Sequence, residues 1–438
     1  MTNSISQFVS KTITTAFGCA FLPTAFKNGF SGKVTKTPEN FAPVLRFIAC
    51  SDVHLDGDEN QANAIRLKNL IKDMNKYSED KSYNKFDAFM VVGDFAGGGA
   101  EEEYAMFNKT VNSVLKDETQ LLTVLGNHEF INYRDYDPTI GYDVYKKMIN
   151  EAVDTDIVIN GYHFIGISYD DNGKTFKGKT DWLREKLENA TKEDPQKPVF
   201  VYQHPHPTLT VYGSISWSDS DIKKVLKDYP QVIDFSGHSH YSPSDPRSVW
   251  QGEFTAIGCG SLGALMGNLN YIEGDHDAPG KSAAAWLVEV DKDNNVRLRL
   301  YDVENRIFFE NIEYYFSNLS DAKKRDYTWT KQKSLDTKTE FPENSKITVT
   351  KNENEETVIS FPEAKGYYEA ENYKITVKNS NNKKVYEKTV ISEYVRATND
   401  DVTVNIGNVE SGTYTVKVIS YSPYAKKGEK LSNTITVK

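Results

Sequence analysis

Five short motifs in this 438-residue chain combine carboxylate, imidazole and amide side chains, and each follows an apolar segment. In chain order they are Asp52-Val53-His54 after LRFIACS, Gly93-Asp94 after FMVV, Gly126-Asn127-His128-Glu129 after LLTVL, His204 after VFVYQ, and Gly237-His238-Ser239-His240 after VIDFS. Because the carboxyl ends of neighbouring strands in an α/β sheet meet in one crevice, we expect these side chains to share one site.

The donor atoms of these motifs indicate a metal site. Two aspartates, one asparagine oxygen and four or five imidazoles are too many ligands for one ion and a suitable number for two. Mixed nitrogen and oxygen ligation favours Zn, Fe, Mn, Ni or Co over Ca or Mg. Two ions about 3.5–4 Å apart suit phosphoryl chemistry, because they lower the pKa of a bridging water toward ~7 and hold phosphate oxygens. His128 or a neighbour could then protonate the leaving oxygen.

Each motif taken singly also has an ordinary structural interpretation. Gly-Asp is commonly a turn, and Gly-Asn-His-Glu could be a strand-to-helix turn in which Asn tolerates positive φ. The segment His204-Pro205-His206-Pro207 could be a rigid surface loop. The order of the five motifs, each after an apolar segment, favours a shared site over five unrelated turns.

In this order the motifs resemble those of the calcineurin-like metallophosphoesterases over residues 44–310. The resemblance implies a two-sheet sandwich flanked by helices, and hydrolysis of phosphoesters by a hydroxide that bridges two metals. It implies ligand roles for seven residues, with the first metal bound by Asp52, His54 and His240, the second by Asn127, His204 and His238, and both by Asp94. It also implies that His128 contacts the phosphate and is the general acid.

Departures from two subfamilies narrow this resemblance. Purple acid phosphatases have a metal-binding Tyr three residues after the bridging Asp, where this chain has Gly97. The protein Ser/Thr phosphatases of the family have an Arg directly after that Asp, where this chain has Phe95. Both classes are therefore disfavoured. The run Gly97-Gly98-Gly99 permits either close approach of a substrate to the backbone or a flexible turn.

Other polar residues near the motifs could contact the substrate or belong to ordinary loops. They are His206, which we include with Asn127 and His128 as a candidate for substrate binding, and Asp56, Asp58, Glu59, Asn132 and Tyr241. His163, at the start of a predicted strand, is interpreted as structural. His276, within the acidic run EGDHD, is interpreted as part of a surface loop.

The elements that must position the motifs alternate between strands and helices, which is typical of an α/β fold. The predicted strands are Leu45–Cys50, Phe86–Val92, Gln120–Leu125, Tyr162–Ser168, Val199–Gln203, Val232–Phe235, Phe254–Ile257 and Ala284–Val290. The predicted helices are Ala62–Tyr77, Glu101–Leu115, Trp182–Asn189 and Asp219–Leu226. Thr180 could cap the third of these helices.

The sequence pattern divides the chain into four segments. Residues 1–43 contain apolar residues at helical spacing, which predicts an amphipathic helix, and residues 44–315 form the catalytic domain. Residues 316–341 are polar and are interpreted as a linker. Residues 342–438 alternate with period two, which predicts a small β-sandwich. This last segment resembles fibronectin type III-like modules, so it either packs on the catalytic domain or binds polysaccharide or cell wall.

Composition excludes several classes of protein. A 38% content of hydrophobic residues supports a sizeable core and excludes global disorder, and a net charge of −10 lacks the basic footprint of a nucleic-acid binder. Three cysteines, Cys19, Cys50 and Cys259, fit neither a disulfide framework nor a zinc motif. No run of 18 apolar residues exists, so we expect no transmembrane helix.

We therefore expect a phosphodiesterase with two transition-metal ions (Mn, Fe, Zn or Ni) that acts on a small phosphodiester, for example a nucleotide or cyclic nucleotide. The alternatives are a phosphomonoesterase for a small phosphorylated metabolite and, in another class, a non-catalytic cell-surface binding protein. Long nucleic acid is not expected as a partner. The N-terminal helix could dock on the protein itself or contact a membrane surface, and its resemblance to a secretory signal is weak. A cytoplasmic or membrane-peripheral location is favoured over an extracellular one.

Overall fold

The computed structural model describes residues 36–133, 135, 137, 139–169, 175–266, 282–398 and 401–438. The predicted N-terminal helix, Cys19 and His276 lie outside these residues. No helix in the described part of the chain has the length and apolar character needed to cross a membrane.

The described residues form two large mixed sheets with helices, followed by smaller sheets. The strands are β1 (Pro43–Cys50), β2 (Ala88–Val91), β3 (Gln120–Thr123), β4 (Thr155–Ile159), β5 (Tyr162–Gly166), β6 (Val199–Tyr202), β7 (His206–Pro207), β8 (Ser218–Asp219), β9 (Val232–Ser236), β10 (Val249–Gln251), β11 (Thr255–Gly258), β12 (Ala284–Asp291), β13 (Val296–Asp302), β14 (Ile307–Phe316), β15 (Thr348–Lys351), β16 (Thr357–Phe361), β17 (Asn372–Asn379), β18 (Lys384–Ile391), β19 (Val402–Gly407), β20 (Gly412–Tyr421) and β21 (Lys427–Val437). The helices are α1 (Ala62–Glu79), α2 (Glu101–Asn112), α3 (Thr139–Met148), α4 (Thr180–Glu193), α5 (Ser220–Leu226) and α6 (Trp329–Leu335).

Each large sheet contains a group of parallel strands whose carboxyl ends lie at one edge. The first sheet has the order β14-β13-β12-β1-β2-β3, in which β1, β2 and β3 are parallel. The second has the order β10-β11-β9-β6-β5-β4, in which β5, β6, β9 and β11 are parallel. This arrangement confirms the predicted two-sheet α/β fold, and it brings the ends of β1, β2, β3, β6 and β9 within reach of one another.

The two large sheets pack face to face through aromatic side chains. The ring of Phe47 on β1 lies 4.9–5.8 Å, centroid to centroid, from the rings of Phe164, Phe200 and Phe235 on the opposite sheet. Edge-to-face pairs of this kind contribute about 0.5–1.5 kcal/mol each beyond the burial of their area. Ile48, the next residue of β1, points to the other face and packs with the helices, as the two-residue period of a strand requires.

The C-terminal strands form an antiparallel sandwich, as predicted. A three-stranded sheet of order β15-β16-β19 and a four-stranded sheet of order β18-β17-β20-β21 enclose a separate apolar core. This agrees with the alternating pattern of the sequence after residue 342. The closer likeness to fibronectin type III modules stays a prediction.

The polar segment between the two domains is folded against the catalytic region. Thr328 caps α6 by accepting a hydrogen bond from the backbone N–H of Lys331, and the side chain of Tyr327 enters the core between the large sheets. Tyr394 and Val395 of the C-terminal domain reach the same core. The two domains therefore share apolar packing, while the exact domain boundaries stay predictions.

Three local features differ from the sequence predictions. Thr180 does not cap α4, because the helix begins at Thr180 itself and Lys179 occupies the cap position without a side-chain hydrogen bond. No counterpart among the predicted elements exists for the strands β4, β7, β8, β10, β13, β14 and β21 or for the helices α3 and α6, the last of which lies in the predicted linker. In β14 only the last three residues are buried, so its apolar residues do not alternate regularly with polar ones.

A buried ion pair explains the single charge inside the first strand. Arg46 lies within β1 and its Nε donates a hydrogen bond of 2.8 Å to Glu289 Oε1 on the neighbouring strand β12. Both side chains are almost fully buried. The Arg46 guanidinium also donates to the carbonyls of Tyr83 and Lys85, which anchors the segment that leads into β2.

Replacing Arg46 should therefore destabilise the fold. The variant Arg46→Met leaves Glu289 buried with fewer partners, and breaking a buried pair of this kind costs about 3–5 kcal/mol. The midpoint of urea unfolding measures the loss. Arg297→Met is the matched control, because Arg297 binds the same carboxylate but is partly exposed, and it should cost less. Equal losses in the two variants would contradict this account of β1.

Candidate metal centre

The five motifs converge at the shared edge of the two sheets, on loops with unusual backbone geometry. Asp52, His54, Asp94, His238 and His240 all have φ between 50° and 68°. Residues other than glycine adopt this left-handed conformation rarely, and it persists only where the surrounding structure holds it. Such a concentration of strained residues at one place is typical of a functional site.

Two glycines of the motifs, Gly126 and Gly237, are required because carboxylates lie against the backbone. A Cβ atom on Gly126 would lie 2.1 Å from Asp94 Oδ1, and one on Gly237 would lie 2.4 Å from Asp52 Oδ2. Real Cβ atoms do not approach oxygen so closely. Any other residue at these two positions would therefore push an aspartate out of the site.

The first cluster consists of Asp52, His54 and His240, the three residues to which the family resemblance assigns the first metal. Asp52 Oδ1 lies 3.0 Å from His240 Nε2 and 3.7 Å from His54 Nε2, and the two imidazole nitrogens are 3.1 Å apart. The three donor atoms are close enough to bind one ion. They come from two different sheets, because β1 precedes the first pair and β9 precedes His240.

The second cluster surrounds His204. Its Nε2 lies 3.0 Å from Asp94 Oδ2, 3.2 Å from His238 Nδ1 and 3.1 Å from Asn127 Oδ1. Asp94, His204 and His238 are mutually close enough to bind a second ion, and the Asn127 oxygen adds a further donor. All four residues were predicted to share this position.

Asp94 links the two clusters. Besides its contacts in the second cluster, its carboxylate lies near the donor atoms of His54 and His128. Asp52 Oδ1 is also only 3.9 Å from His204 Nε2, so no gap separates the clusters. The structure therefore brings together all seven predicted ligands and His128.

Backbone hydrogen bonds fix the orientation of the ligating groups. Asp52 Oδ2 accepts a hydrogen bond from the His238 N–H, and Asp94 Oδ1 accepts one from the His128 N–H, so each carboxylate turns its other oxygen to the centre. The Nδ1 atoms of His204 and His240 lie 2.9 and 3.1 Å from the carbonyl oxygens of Val92 and Ala264. An Nδ1–H that donates to a carbonyl leaves the Nε2 lone pair for a metal.

The electrostatics of the cluster favour positive charge. Burial opposes ionisation of both carboxylates, but His240 and His204 hold the pKa of Asp52 well below its usual range, and His204 lowers the pKa of Asp94 to about 2. Burial likewise opposes protonation of His204, yet the two aspartates raise its pKa to about 10. Burial together with the charge of His204 lowers the pKa of His238 to about 4. The ionised carboxylates thus stabilise a proton at the position where a metal cation would bind.

His128 stands beside both clusters without belonging to the predicted ligand set. Its Nδ1 lies 2.7 Å from the carbonyl oxygen of Gly97, and its Nε2 lies 4.0 Å from Asp94 Oδ2. The ring is about one-third exposed and its centroid is 4.4 Å from that of His54. Burial lowers the pKa of His128. The ring is therefore fixed at one nitrogen and faces the centre with the other.

Glu129 connects the loop after β2 with the loop after β3 through hydrogen bonds. Its buried carboxylate accepts hydrogen bonds from the backbone N–H groups of Asp94, Ala96 and Gly126 at 2.6–3.0 Å. Burial and the charge of Asp94 raise the pKa of Glu129 to about 8. The sequence placed Glu129 in a motif but gave it no role, because its partners are backbone groups that only the fold brings near.

Several further predicted residues lie away from the donor atoms. Both ring nitrogens of His206 pair with serine hydroxyls, those of Ser236 and Ser239, at 2.8 Å, and the ring is buried, so its contact with substrate stays a prediction.

His163 pairs with Asp156 and Glu193 at the far end of the strands. Asp56, Asp58 and Glu59 are on exposed loop surface. Asn132 packs on the glycine run, and Tyr241 stacks on Tyr212.

The glycine run forms a packed turn beside the site. A Cβ atom on Gly98 would lie 2.9 Å from the Asn132 side chain, and one on Gly99 would lie 2.2 Å from the Glu129 carbonyl oxygen. Close packing thus accounts for the glycines at these two positions, while the Gly97 carbonyl oxygen lies 2.7 Å from His128 Nδ1.

Trp217 is a neighbour of the centre that the sequence analysis did not find. Its ring lies 5.1 Å, centroid to centroid, from the ring of His238, edge to face. The residue belongs to a loop between β7 and β8 that also carries the exposed side chains of Leu209 and Ile215. No periodic pattern or motif marks this loop.

The residues present fit two transition-metal ions. Asp52 Oδ1 is buried and has no hydrogen-bond donor in a suitable orientation, which is the state expected of an oxygen reserved for a cation. The combined donors are imidazole nitrogens, carboxylate oxygens and one amide oxygen, a set that suits first-row transition metals. The two clusters with Asp94 between them fit a binuclear centre.

The comparison with protein-family models agrees with this site. Residues 45–242 match a family model described as calcineurin-like phosphoesterase. Among solved structures, the chain is similar to a purple acid phosphatase from yellow lupin (Lupinus luteus) seeds, with 14% sequence identity, a TM-score of 0.46, and coverage of 62% of this chain and 53% of that one. It is also similar to an endo-beta-1,4-mannanase from Thermotoga petrophila, with 10% identity, a TM-score of 0.25, and coverage of 90% and 97%.

Neither structural similarity is close enough to establish a shared activity, and the chain spans about half the length of the lupin phosphatase. No curated protein sequence matches the chain significantly. The family match, however, includes all five motifs and both donor clusters. A binuclear transition-metal centre is what this family implies. Residues 45–242 are therefore similar to the calcineurin-like phosphoesterases, and this similarity supports a metal-dependent phosphoester hydrolase.

Proposed function

We propose that this chain hydrolyses a small phosphodiester with the help of two transition-metal ions. The observation that carries the proposal is the pair of donor clusters joined at Asp94, with His128 beside them. Asp52, His54 and His240 hold one ion in this proposal. Asn127, His204 and His238 hold the other, and Asp94 binds both.

The reaction needs a nucleophile, charge stabilisation and a proton for the leaving group. Two bound ions supply Lewis acidity and lower the pKa of water. The chain supplies the proton from the imidazolium form of His128: its Nδ1–H is held by the Gly97 carbonyl, and its Nε2–H faces the centre and donates to the leaving oxygen, which leaves a neutral imidazole. The Asn127 amide, 3.1 Å from His204, helps to orient the phosphate.

The charge around the centre supports a diester over a monoester. Within the described part of the chain, the side chains that contact those of the seven ligand candidates belong to His, Asp, Asn and aromatic residues, and none of them is Lys or Arg. A monoester near neutral pH carries about 1.5 to 2 negative charges. A diester carries one, so it needs less help from cationic side chains.

The apolar side chains of the loop that carries Trp217 also support a diester. Trp217 contacts the His238 ring, and Ile215 and Leu209 on the same loop are 77% and 57% exposed. A phosphodiester has an organic group on each side of the phosphorus atom. One such group, for example a nucleoside base, could stack on an aromatic ring at the site.

Mn, Fe, Zn and Ni all accept the donor set. Contact of the termini with a membrane surface or cell wall stays a prediction.

Removal of a ligand should remove metal and activity together. Asn127→Ala and His238→Ala each take a donor from the second cluster, so we expect metal content after reconstitution with Mn or Zn to fall from two ions per chain toward one, and turnover to be lost. Elemental analysis of the gel-filtered protein measures the metal. Wild-type occupancy in both variants would show that the second cluster is wrongly assigned.

Removal of the proton donor should separate metal binding from turnover. His128→Ala keeps all seven ligands, so it should retain two ions, while kcat falls by about 10²–10⁴-fold because general acid catalysis is lost. His163→Gln is the matched control, since this histidine lies away from the centre and should retain full turnover. A wild-type rate in His128→Ala would remove His128 from the mechanism.

The substrate class can be tested with two chromogenic esters. We expect kcat/KM to be higher for bis(p-nitrophenyl) phosphate than for p-nitrophenyl phosphate, measured on the same metal-loaded protein by release of p-nitrophenolate. The reverse order would move the assignment to phosphomonoesterase. Bound metal without turnover of either ester would contradict both, and absence of metal and turnover would support a binding protein.

A further inference from the structure

A line of four side chains connects the C-terminal domain to the loop that carries His238 and His240. We propose that this brace, formed by Glu371, Arg247, Tyr212 and Tyr241, positions the ligand loop, and that the C-terminal domain thereby sets the metal affinity of the centre. The proposal rests on the proposed function, because it treats the two histidines as metal ligands. The four members act as positioning residues through other groups and touch no metal themselves.

The first contact of the brace crosses the junction between the two domains. Glu371, directly before β17 in the C-terminal domain, accepts hydrogen bonds from Arg247 Nη2 at 2.5 Å and from Tyr212 Oη at 3.2 Å. Arg247 belongs to the catalytic region and also donates to Asp245. Glu371 and Asp245 are both buried. One guanidinium group is thus held between a carboxylate from each domain.

The second contact passes from the guanidinium to two stacked rings. The Arg247 Cζ atom lies 3.8 Å from the centroid of the Tyr212 ring, and the Tyr212 N–H donates to the Arg247 carbonyl. The Tyr212 ring in turn lies 4.5 Å from the Tyr241 ring at an interplanar angle of 30°. A cation over an aromatic face is an attractive contact with a preferred geometry. Tyr212 therefore has little freedom to shift between Arg247 and Tyr241.

The last contact reaches the ligands. Tyr241 directly follows His240, and Gly213, the neighbour of Tyr212, packs so closely that a Cβ atom there would lie 2.7 Å from Ser239 Cβ. Ser239 separates the two ligand histidines, which both have positive φ. Strained backbone of this kind persists only where its surroundings hold it. The segment 212–213 packs against the residues between and after these histidines, so movement of Tyr212 is transmitted to them.

Substitutions in the full chain can separate positioning from general stability. Glu371→Ala removes the interdomain contact, and Tyr212→Leu removes both ring contacts. Tyr212→Phe keeps the rings and loses only the hydroxyl bond to Glu371. Ile359→Val is the matched control, because Ile359 lies in the core of the C-terminal domain away from the brace.

Two readouts are taken on each variant after its metals have been removed with a chelator. Titration with Co²⁺, followed by visible absorption, gives the dissociation constants and reports the ligand geometry. Amide hydrogen exchange of residues 237–241 in the metal-free protein reports how firmly the loop is held. We expect Glu371→Ala and Tyr212→Leu to weaken Co²⁺ binding about tenfold, as outer-shell substitutions do, and to speed exchange in the loop. Tyr212→Phe and Ile359→Val should resemble the wild type.

The outcomes distinguish failure of this inference from failure of the proposed function. Wild-type Co²⁺ affinity and unchanged loop exchange in both Glu371→Ala and Tyr212→Leu would overturn the brace. An equal loss of Co²⁺ affinity in Ile359→Val would show that the effect comes from general destabilisation of the C-terminal domain, and it would also overturn the brace. If the wild type itself binds no Co²⁺, the proposed function fails, and loop exchange alone then decides the brace. If Glu371→Ala does not fold, the comparison of Tyr212→Leu with Tyr212→Phe decides it.

Discussion

The proximity of two buried carboxylates, those of Asp52 and Asp94, is the constraint on which the rest of the site depends. Two negative charges removed from water are costly to bury and repel each other. Each carboxylate gives one oxygen to a backbone N–H and turns the other toward imidazoles, so positive charge collects between them. The surrounding histidines are therefore the electrostatic counterpart of the aspartates, and the same arrangement that favours a proton favours a metal cation.

The fold determines where these charges meet. The strands β1 and β2 are adjacent and parallel, so Asp52 and Asp94 leave the same edge of one sheet, whereas His204 and His238 follow the adjacent parallel strands β6 and β9 of the other. The aromatic contacts of Phe47 hold the two sheets together below this edge. Dense packing under the loops offsets the cost of the strained backbone within them, as a functional site built from left-handed residues requires.

The clustered Asp, Asn and His residues could be recognised in the sequence because each combines a potential metal donor with the end of an apolar segment, and both signals are local. The start of α4 could not be fixed, because helix-forming tendency specifies a terminus only within a residue or two, so Thr180 was misplaced by one position. Trp217 and Tyr212 could not be found at all. Trp217 contacts His238 and Tyr212 contacts Tyr241, both distant in sequence, and their loop has no repeating pattern. The irregular burial of β14 concealed that strand for a similar reason.

For the C-terminal domain, the contacts with the catalytic region are more informative about function than the resemblance of its fold. An antiparallel sandwich serves many unrelated functions. At the junction, however, Glu371 is buried against Arg247, and a buried pair of charges is tolerated only where its hydrogen bonds are completed. Sliding or rotation of one domain on the other would leave these charges unpaired. The junction therefore favours a single arrangement of the two domains. The loop that carries His238 and His240 packs, through Tyr241 and Tyr212, against this fixed junction.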